Sequence, residues 1–406
     1  MTIRRPLDGF LVLDLGQIYN GPYCGLTLGF MGARVLKIEP PEGDVVRRRK
    51  REVEPWPLVM LNSNKESVVL DLKQPRGKEI FLELVKKADV LIENFAVGVM
   101  DRLDLGYDVL SKLNPRLVYG GSSGYGLDGP YRDLAAMDVT VQAMTGIMNS
   151  TGQPDGPPTK AGAAVCDFLA GIHLSAGILG ALVQRERTGQ GQRVEVAMHE
   201  AGTIALASAL GAVMDGDTSV PERTGNRHPA LAMAPYNTYR CADGYVAIFT
   251  SAERHWQSMC RLLGRPELAE HPEYGSTVAR ARNMTEIDDI VGAWTLPRSK
   301  AEVMGLLNEA HVPCSPVKTA KEVATDPHLE ERGFWVDVVH PRPGRTRVPL
   351  SRIRLHTGGK PEIRSPAPTL GQHTEKVLAE LLGLKAQELA KLRAERVTEP
   401  VTERKA

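Results

Sequence analysis

FLVLDLGQIYNGPYCGLTLGFMGARVLKI, residues 10–38, decides the architecture. Phe10–Leu15 is a short apolar run of strand length, and Gly16 and Gln17 break it. A helical stretch follows from about Gly21 to Met31. Gly32 ends it, and Arg34–Ile38 reads as a second strand. Strand, helix and strand at this spacing predict a βαβ unit with parallel strands. Ligands in such sheets bind beyond the carboxyl ends of the strands, which singles out Gln17. A dinucleotide unit would set Glu39 on a ribose, but Gly16, Gly21 and Gly25 do not form GxGxxG, so that reading is discounted.

Outward from this unit the alternation repeats. Strands are expected at Ser67–Leu72, Asp89–Glu93 (ending in Asn94-Phe95), Leu117–Gly120 and Gln192–Val196. Helices are expected from Gly77 to Ala88 and around Met100–Arg102 and Tyr107–Leu113. The N-terminal third is therefore α/β. Arg47–Arg51 is a run of five cations, read either as a solvated face or as part of a phosphate-binding surface. SSGYGLDGPYRD, residues 122–133, is Gly-rich but lacks the Lys-Ser/Thr of a P-loop. Asp138 opens a helix, where capping is its default role.

PTKAGAAVCDFLAGIHLSAGILGALV, residues 158–183, reads as the central helix, with apolar Phe168, Ile172, Ile178 and Leu182. Asp167 sits near its start. One reading makes it a first-turn or capping acid. The other makes it a carboxylate nucleophile, its charge stabilised by the helix N-terminus. Asp167, His173 and Ser175 interrupt the run too often for a good membrane span.

A strand running into a long apolar helix follows up to about residue 214. Composition shifts at 215–229. YNTYRCADGYVAIFT, residues 236–250, reads as a hairpin, and Ser299 with Glu302 as a capping box. The expected organisation is a large domain of residues 1–215 and 330–406 and a small α+β domain of 225–330. The charged end from Arg393 is expected to fray.

The chain has 406 residues, 42% hydrophobic and 24% charged, with net charge +1. No global field favours nucleic acid or a membrane. Five cysteines without CxxC spacing argue against a zinc site or a disulfide framework and suit a reducing compartment. With no apolar leader at the N-terminus, a cytoplasmic location is expected.

Ten segments in order resemble the family III CoA-transferases, the group of formyl-CoA:oxalate transferases, carnitine CoA-transferases and 2-methylacyl-CoA racemases. They are PLDGFLVLDLGQ, GARVLKIEPPEGDVVR, NKESVVLDLK, KKADVLIENF, LNPRLVYGGSSGYG, the Asp138–Gly146 stretch, CDFLAGIHLSAGILGALVQRERTGQGQRVEVAM, CADGYVAI, VPCSPV and LGQHT. The resemblance implies a Rossmann-like large domain with a parallel sheet, a smaller α+β domain and an interlocked homodimer. It implies that Asp167 is the catalytic aspartate, that Gln17 contacts the acyl region and that Asp138 lines the active site. It implies CoA contacts at Leu70, Asp71, Leu72, Lys73, Asn94, Phe95 and Arg102. No permanent cofactor or metal is implied; CoA thioesters are substrates, with an acyl-CoA donor and a carboxylate acceptor.

The departures are specific. Pro40 and Ala135 stand where formyl-CoA transferase is basic, Ala96-Val97-Gly98 follows Asn-Phe, and Thr224–Pro229 replaces a glycine-rich loop. Met137 stands where the racemases carry histidine, and racemisation needs a second acid/base there. The expected function is CoA transfer from a short acyl-CoA, with succinyl-CoA the candidate donor, to a small dicarboxylate through an aspartyl-CoA thioester. Asn226, Arg227 and His228 are candidates for a second substrate carboxylate. The alternatives are an acyl-CoA racemase and a non-catalytic CoA-binding protein.

Overall fold

The computed structural model describes residues 5–49, 53–216, 221–342, 344–357 and 360–401. Residues 5–141, 163–202 and 327–401 form one compact unit; 142–162 and the described part of 203–326 form a second.

The larger unit is built on six strands: β1 (Leu11–Asp14), β2 (Arg34–Glu39), β3 (Lys65–Val69), β4 (Val90–Glu93), β5 (Val118–Ser123) and β6 (Arg193–Ala197). Their order is β3-β2-β1-β4-β5-β6, and every pairing is parallel. Val12 lies beside Val35 on one side and Val90 on the other. Both faces of the inner strands are covered, which is why they read as unbroken apolar runs. Alternation along β1 splits its side chains between two cores. Leu11 and Leu13 face a cluster with Leu36, Phe81, Leu91 and Val377. Val12 faces Cys24, Val35, Val90, Leu174 and Ile178.

Helix α1 (Asn20–Phe30) joins β1 to β2, as the opening stretch predicts. Three more helices matter below: α2 (Pro75–Val85), α3 (Asp138–Met144) and α4 (Val165–Thr188). α4 packs on α1, β5 and β6. It is long and apolar enough to cross a membrane by composition, yet Ala170, Leu174, Ile178 and Leu182 are buried in the protein. Ile172, expected on the apolar face, is instead 49% exposed. At the far end of α4 buried Arg185 pairs with Asp89 at 3.0 Å.

Three expectations change. β3 begins at Lys65 rather than Ser67, because Lys65 is a buried charge with a buried partner. The apolar stretch after β6 is broken by a 3-10 turn at Ile204–Leu206, leaving Ile204, Val213 and Met214 exposed. The charged tail is docked up to Val401: Asp71 donates its N–H to the carbonyl of Val397, which is buried, and Val401 donates to Pro41. Residues 402–406 lie outside the described residues.

The second unit holds an antiparallel sheet of β7 (Tyr236–Cys241), β8 (Gly244–Phe249) and β9 (Cys314–Pro316). Helices 253–262, 284–295 and 300–309 close a core of Trp256, Met259, Ile287, Val291, Val303 and Leu307. Ser299 accepts the Glu302 N–H at 3.2 Å, but Glu302 pairs with Arg298 in place of the return bond of a capping box. The hairpin β10 (Trp335–His340) and β11 (Gly344–Pro349) belongs to the larger unit. All five cysteines are buried.

Candidate active site

The strand order reverses between β1 and β4, and a parallel sheet leaves a crevice at that point. The loop after β1 carries Gly16, Gln17, Ile18 and Tyr19; the loop after β4 carries Asn94 and Phe95. Asn94 joins the two. Its Oδ1 accepts the Gln17 N–H at 2.7 Å, and its Nδ2 donates to the Gln17 carbonyl at 3.0 Å. Gly16 is required by proximity: a Cβ there would sit 2.7 Å from the Gly21 backbone.

Buried charges brace the same loop from below. Asp14, 0% exposed, accepts the Gly16 N–H at 2.8 Å and pairs with Lys65 at 2.6 Å. Lys37 donates to the Gly16 carbonyl at 2.8 Å and pairs with Asp44 at 3.0 Å. Asp44 accepts the N–H of Ile18 at 3.4 Å and of Val46 at 2.9 Å. Two ion pairs therefore fix the backbone on both sides of Gln17. No spacing rule predicts them.

Asp167 lies in the first turn of α4, 9% exposed. Ala164, at the N-cap, supplies no side-chain cap. Asp138 supplies it from another helix: its Oδ1 accepts the N–H groups of Cys166 at 2.9 Å and Asp167 at 3.2 Å. This revises the sequence reading twice. Asp138 caps α4 although it opens α3. The amides expected to stabilise an ionised Asp167 are held by a second carboxylate. Burial, and then the Asp138 charge, push the Asp167 carboxyl up to about 7, with Arg49 opposing.

Removing the Asp138 charge reverses one of these causes. Asp138→Asn keeps an acceptor for the two amides and is expected to move the rising acid limb of turnover about one pH unit lower. Initial rates between pH 5 and 9 check this; an unmoved limb would show that Asp138 does not bias Asp167.

Asp167, Asp138, Asn94 and Phe95 line one cavity of about 140 Å³, with Asn20, Ser122, Gly124, Arg132 and Met137 also on its wall. Gly124 lets the 122–133 loop pass close to Ala136, where a Cβ at 124 would meet the Ala136 Cβ at 2.1 Å. Gln17 reaches this group through Asn94. The other expected CoA contacts do not line the cavity. Leu70 is in the core and Leu72 packs against it. Asp71 holds the Lys73 N–H and the Gln74 amide and lines a separate cleft of about 790 Å³ with Gln74, Arg393 and Arg396. Lys73 is exposed. Arg102 is exposed in a one-turn helix and folds back toward Gly98.

The cationic run separates into different fates. Arg47 is buried and pairs with Glu39 at 2.7 Å and Glu54 at 2.9 Å, so it is neither solvated nor free for phosphate. Arg48 is exposed, and Arg49 bonds the Tyr19 hydroxyl at 3.2 Å. Lys50 and Arg51 lie outside the described residues. In the smaller unit Arg227 pairs with Asp288 at 2.8 Å, Asn226 bonds Thr238, and His228 accepts the Ala230 N–H. These bonds all lie within that unit. Sequence reasoning also missed Glu93, whose buried carboxyl is pushed up to about 7 by burial and lines a neighbouring cavity with Tyr119 and Arg193. Its place beside Asn94 at a strand end was the available signal.

The chain is similar to known CoA-transferases along nearly its whole length. The succinyl-CoA–D-citramalate CoA-transferase of Chloroflexus aurantiacus is 38% identical over 402 residues, covering 97% of this chain and 98% of the relative. The formyl-CoA:oxalate CoA-transferase of Streptomyces avermitilis is 37% identical over 409 residues, covering 97% and 99%. The crystal structure of a CAIB/BAIF family protein from Brucella suis aligns with a TM-score of 0.82 at 33% identity, covering 93% of this chain and all of that one. The pattern of CoA-transferase family III matches residues 7–374, and the chain belongs to that family of enzymes.

Proposed function

We propose that this CoA-transferase moves CoA from succinyl-CoA to a small dicarboxylic acid, with Asp167 as the nucleophile. The observation that carries this is a single buried carboxyl at a helix start, on the wall of a cavity at the sheet's switch point. The ionised Asp167 attacks the thioester carbon; the C–S bond breaks and CoA leaves as thiolate. The thiolate attacks the Asp167 acyl carbon of the resulting mixed anhydride. The donor acid departs, leaving an aspartyl-CoA thioester. The acceptor carboxylate attacks that carbon and again frees the thiolate, which takes the acceptor acyl group and restores Asp167. No net proton moves, and no nucleoside triphosphate is consumed.

Each anhydride must be kept from water, which suits a burial of nine-tenths at Asp167. Backbone amides of the loop at Gly124 are the oxyanion donors this reading assigns. The CoA phosphates are assigned to Lys73 and Arg102, and the segment at Leu70–Leu72 to the nucleotide. Gln17 is assigned to the acyl carbonyl. Met137, 51% exposed beside Asp138, offers no second acid/base for racemisation.

The test crosses acyl-CoA donors with carboxylate acceptors and reads new thioesters by mass spectrometry, with hydroxylamine trapping of the peptide spanning Asp167. Succinyl-CoA with dicarboxylate acceptors is expected to give the fastest exchange and a trapped adduct. Exchange without an adduct would remove the covalent route; a preference for monocarboxylates would remove the substrate class.

A further inference from the structure

One cation is held on the aromatic rings beside the start of α4. Arg49 ends the 3-10 turn Val45–Arg49, and among the described residues it has no ion-pair partner. Its neighbour Arg47 has its guanidinium filled by Glu39, Glu54 and the Pro368 carbonyl. Arg49 is nevertheless oriented. Its Nη1 donates to the Tyr19 hydroxyl at 3.2 Å, and its Cζ lies 5.7 Å from the centre of that ring. The Tyr19 ring is stacked on Phe168 with centroids 6.0 Å apart, and Phe168 directly follows the nucleophile. Tyr23 closes on Phe168 edge-on at 4.9 Å. An aromatic ledge thus carries a guanidinium toward the start of α4.

We infer that Arg49 receives the second carboxylate of a dicarboxylic substrate while the first reacts at Asp167. This rests on the function proposed above and names the residue that selects its substrate class. One Arg49 donor goes to Tyr19, and the planar fork keeps others for a carboxylate. Arg49 lowers the proton affinity of Asp167, as a cation close to that carboxyl must. The buried carboxylates nearest the turn are already held: Asp44 by Lys37, Glu39 and Glu54 by Arg47. The loop 224–229, considered for this task from sequence, has its arginine paired with Asp288.

The experiment compares succinate with butyrate, which has the same chain length and a methyl group in place of the second carboxylate. In Arg49→Gln, kcat/KM for succinate is expected to fall about 30-fold through KM, the size of one charge-assisted hydrogen-bonded pair, while butyrate changes less than about 3-fold. Arg49→Lys keeps the charge without the fork and is expected to fall between. Arg48→Gln, on an exposed neighbour, serves as the control. The inference is overturned if both acids lose equally, if neither changes, or if acetyl-CoA and succinyl-CoA lose affinity together, which would mark a phosphate contact. Adduct trapping separates the two claims. No adduct in the wild type removes the underlying mechanism; an adduct with unchanged acid preference in Arg49→Gln removes only the role of Arg49.

Discussion

Alanine at position 167 is expected to stop CoA transfer. With Asp167 as the proposed nucleophile, turnover in Asp167→Ala falls about 10,000-fold or more, because loss of a covalent nucleophile costs nearly the whole chemical advantage. Activity above a few per cent of wild type would overturn the assignment. The companion Asp167→Asn carries a second readout. Burial raises the carboxyl from its ordinary range to about 7, so the folded chain keeps this proton at pH values where the unfolded chain has released it. The resulting stability is complete below about pH 4 and is lost as pH rises through 7. An amide has no such loss. At pH 8 the Asn variant is expected to be more stable by about 2–4 kcal/mol, and at pH 4 to match the wild type. Urea unfolding at the two pH values checks both. A purely structural Asp167, paired and ionised, would give the opposite sign at pH 8.

The second large effect comes from the buried charges beneath the active-site loop. Lys65→Met leaves Asp14 as a buried charge without its 2.6 Å partner. Breaking one side of such a pair costs about 3–5 kcal/mol. Lys65 also donates to the Pro22 carbonyl at 2.8 Å, so α1 loses an anchor at its first turn. Since Asp14 holds the Gly16 N–H, the loop bearing Gln17 is expected to loosen and KM for the acyl-CoA to rise. Lys65→Met combined with Asp14→Leu should recover part of the stability, because no bare charge remains. Equal unfolding midpoints for wild type and Lys65→Met would sink this account.

What was legible followed from burial. β1, α1 and β2 appear within a residue or two of expectation, because strands covered on both faces must be apolar throughout. The burial of Asp167 in the first turn of α4 was legible because a lone acid in a small apolar run has few places to go. The reach of Asp138 to another helix was not, nor the Asn94–Gln17 pairing. Both depend on which strands lie side by side, and β4 pairs with β1 across a separation in sequence that no local pattern records. The cationic run shows the same limit. In one dimension Arg47, Arg48 and Arg49 are equivalent. A 3-10 turn sends one into the core, one to solvent and one onto an aromatic ring.

On the proposed route each turnover twice sets free a coenzyme A thiolate against the protein wall. A side-chain thiolate exposed there could attack the donor thioester or the anhydride, displace CoA thiolate or a carboxylate, and end as a trapped S-acyl cysteine. The chain offers none: burial closes off all five cysteines and pushes the thiols of Cys24 and Cys260 up to about 12 and that of Cys314 to about 11. A protonated, enclosed sulfur neither attacks nor is attacked. The fold can therefore work beside a reactive sulfur without being captured by its own substrate.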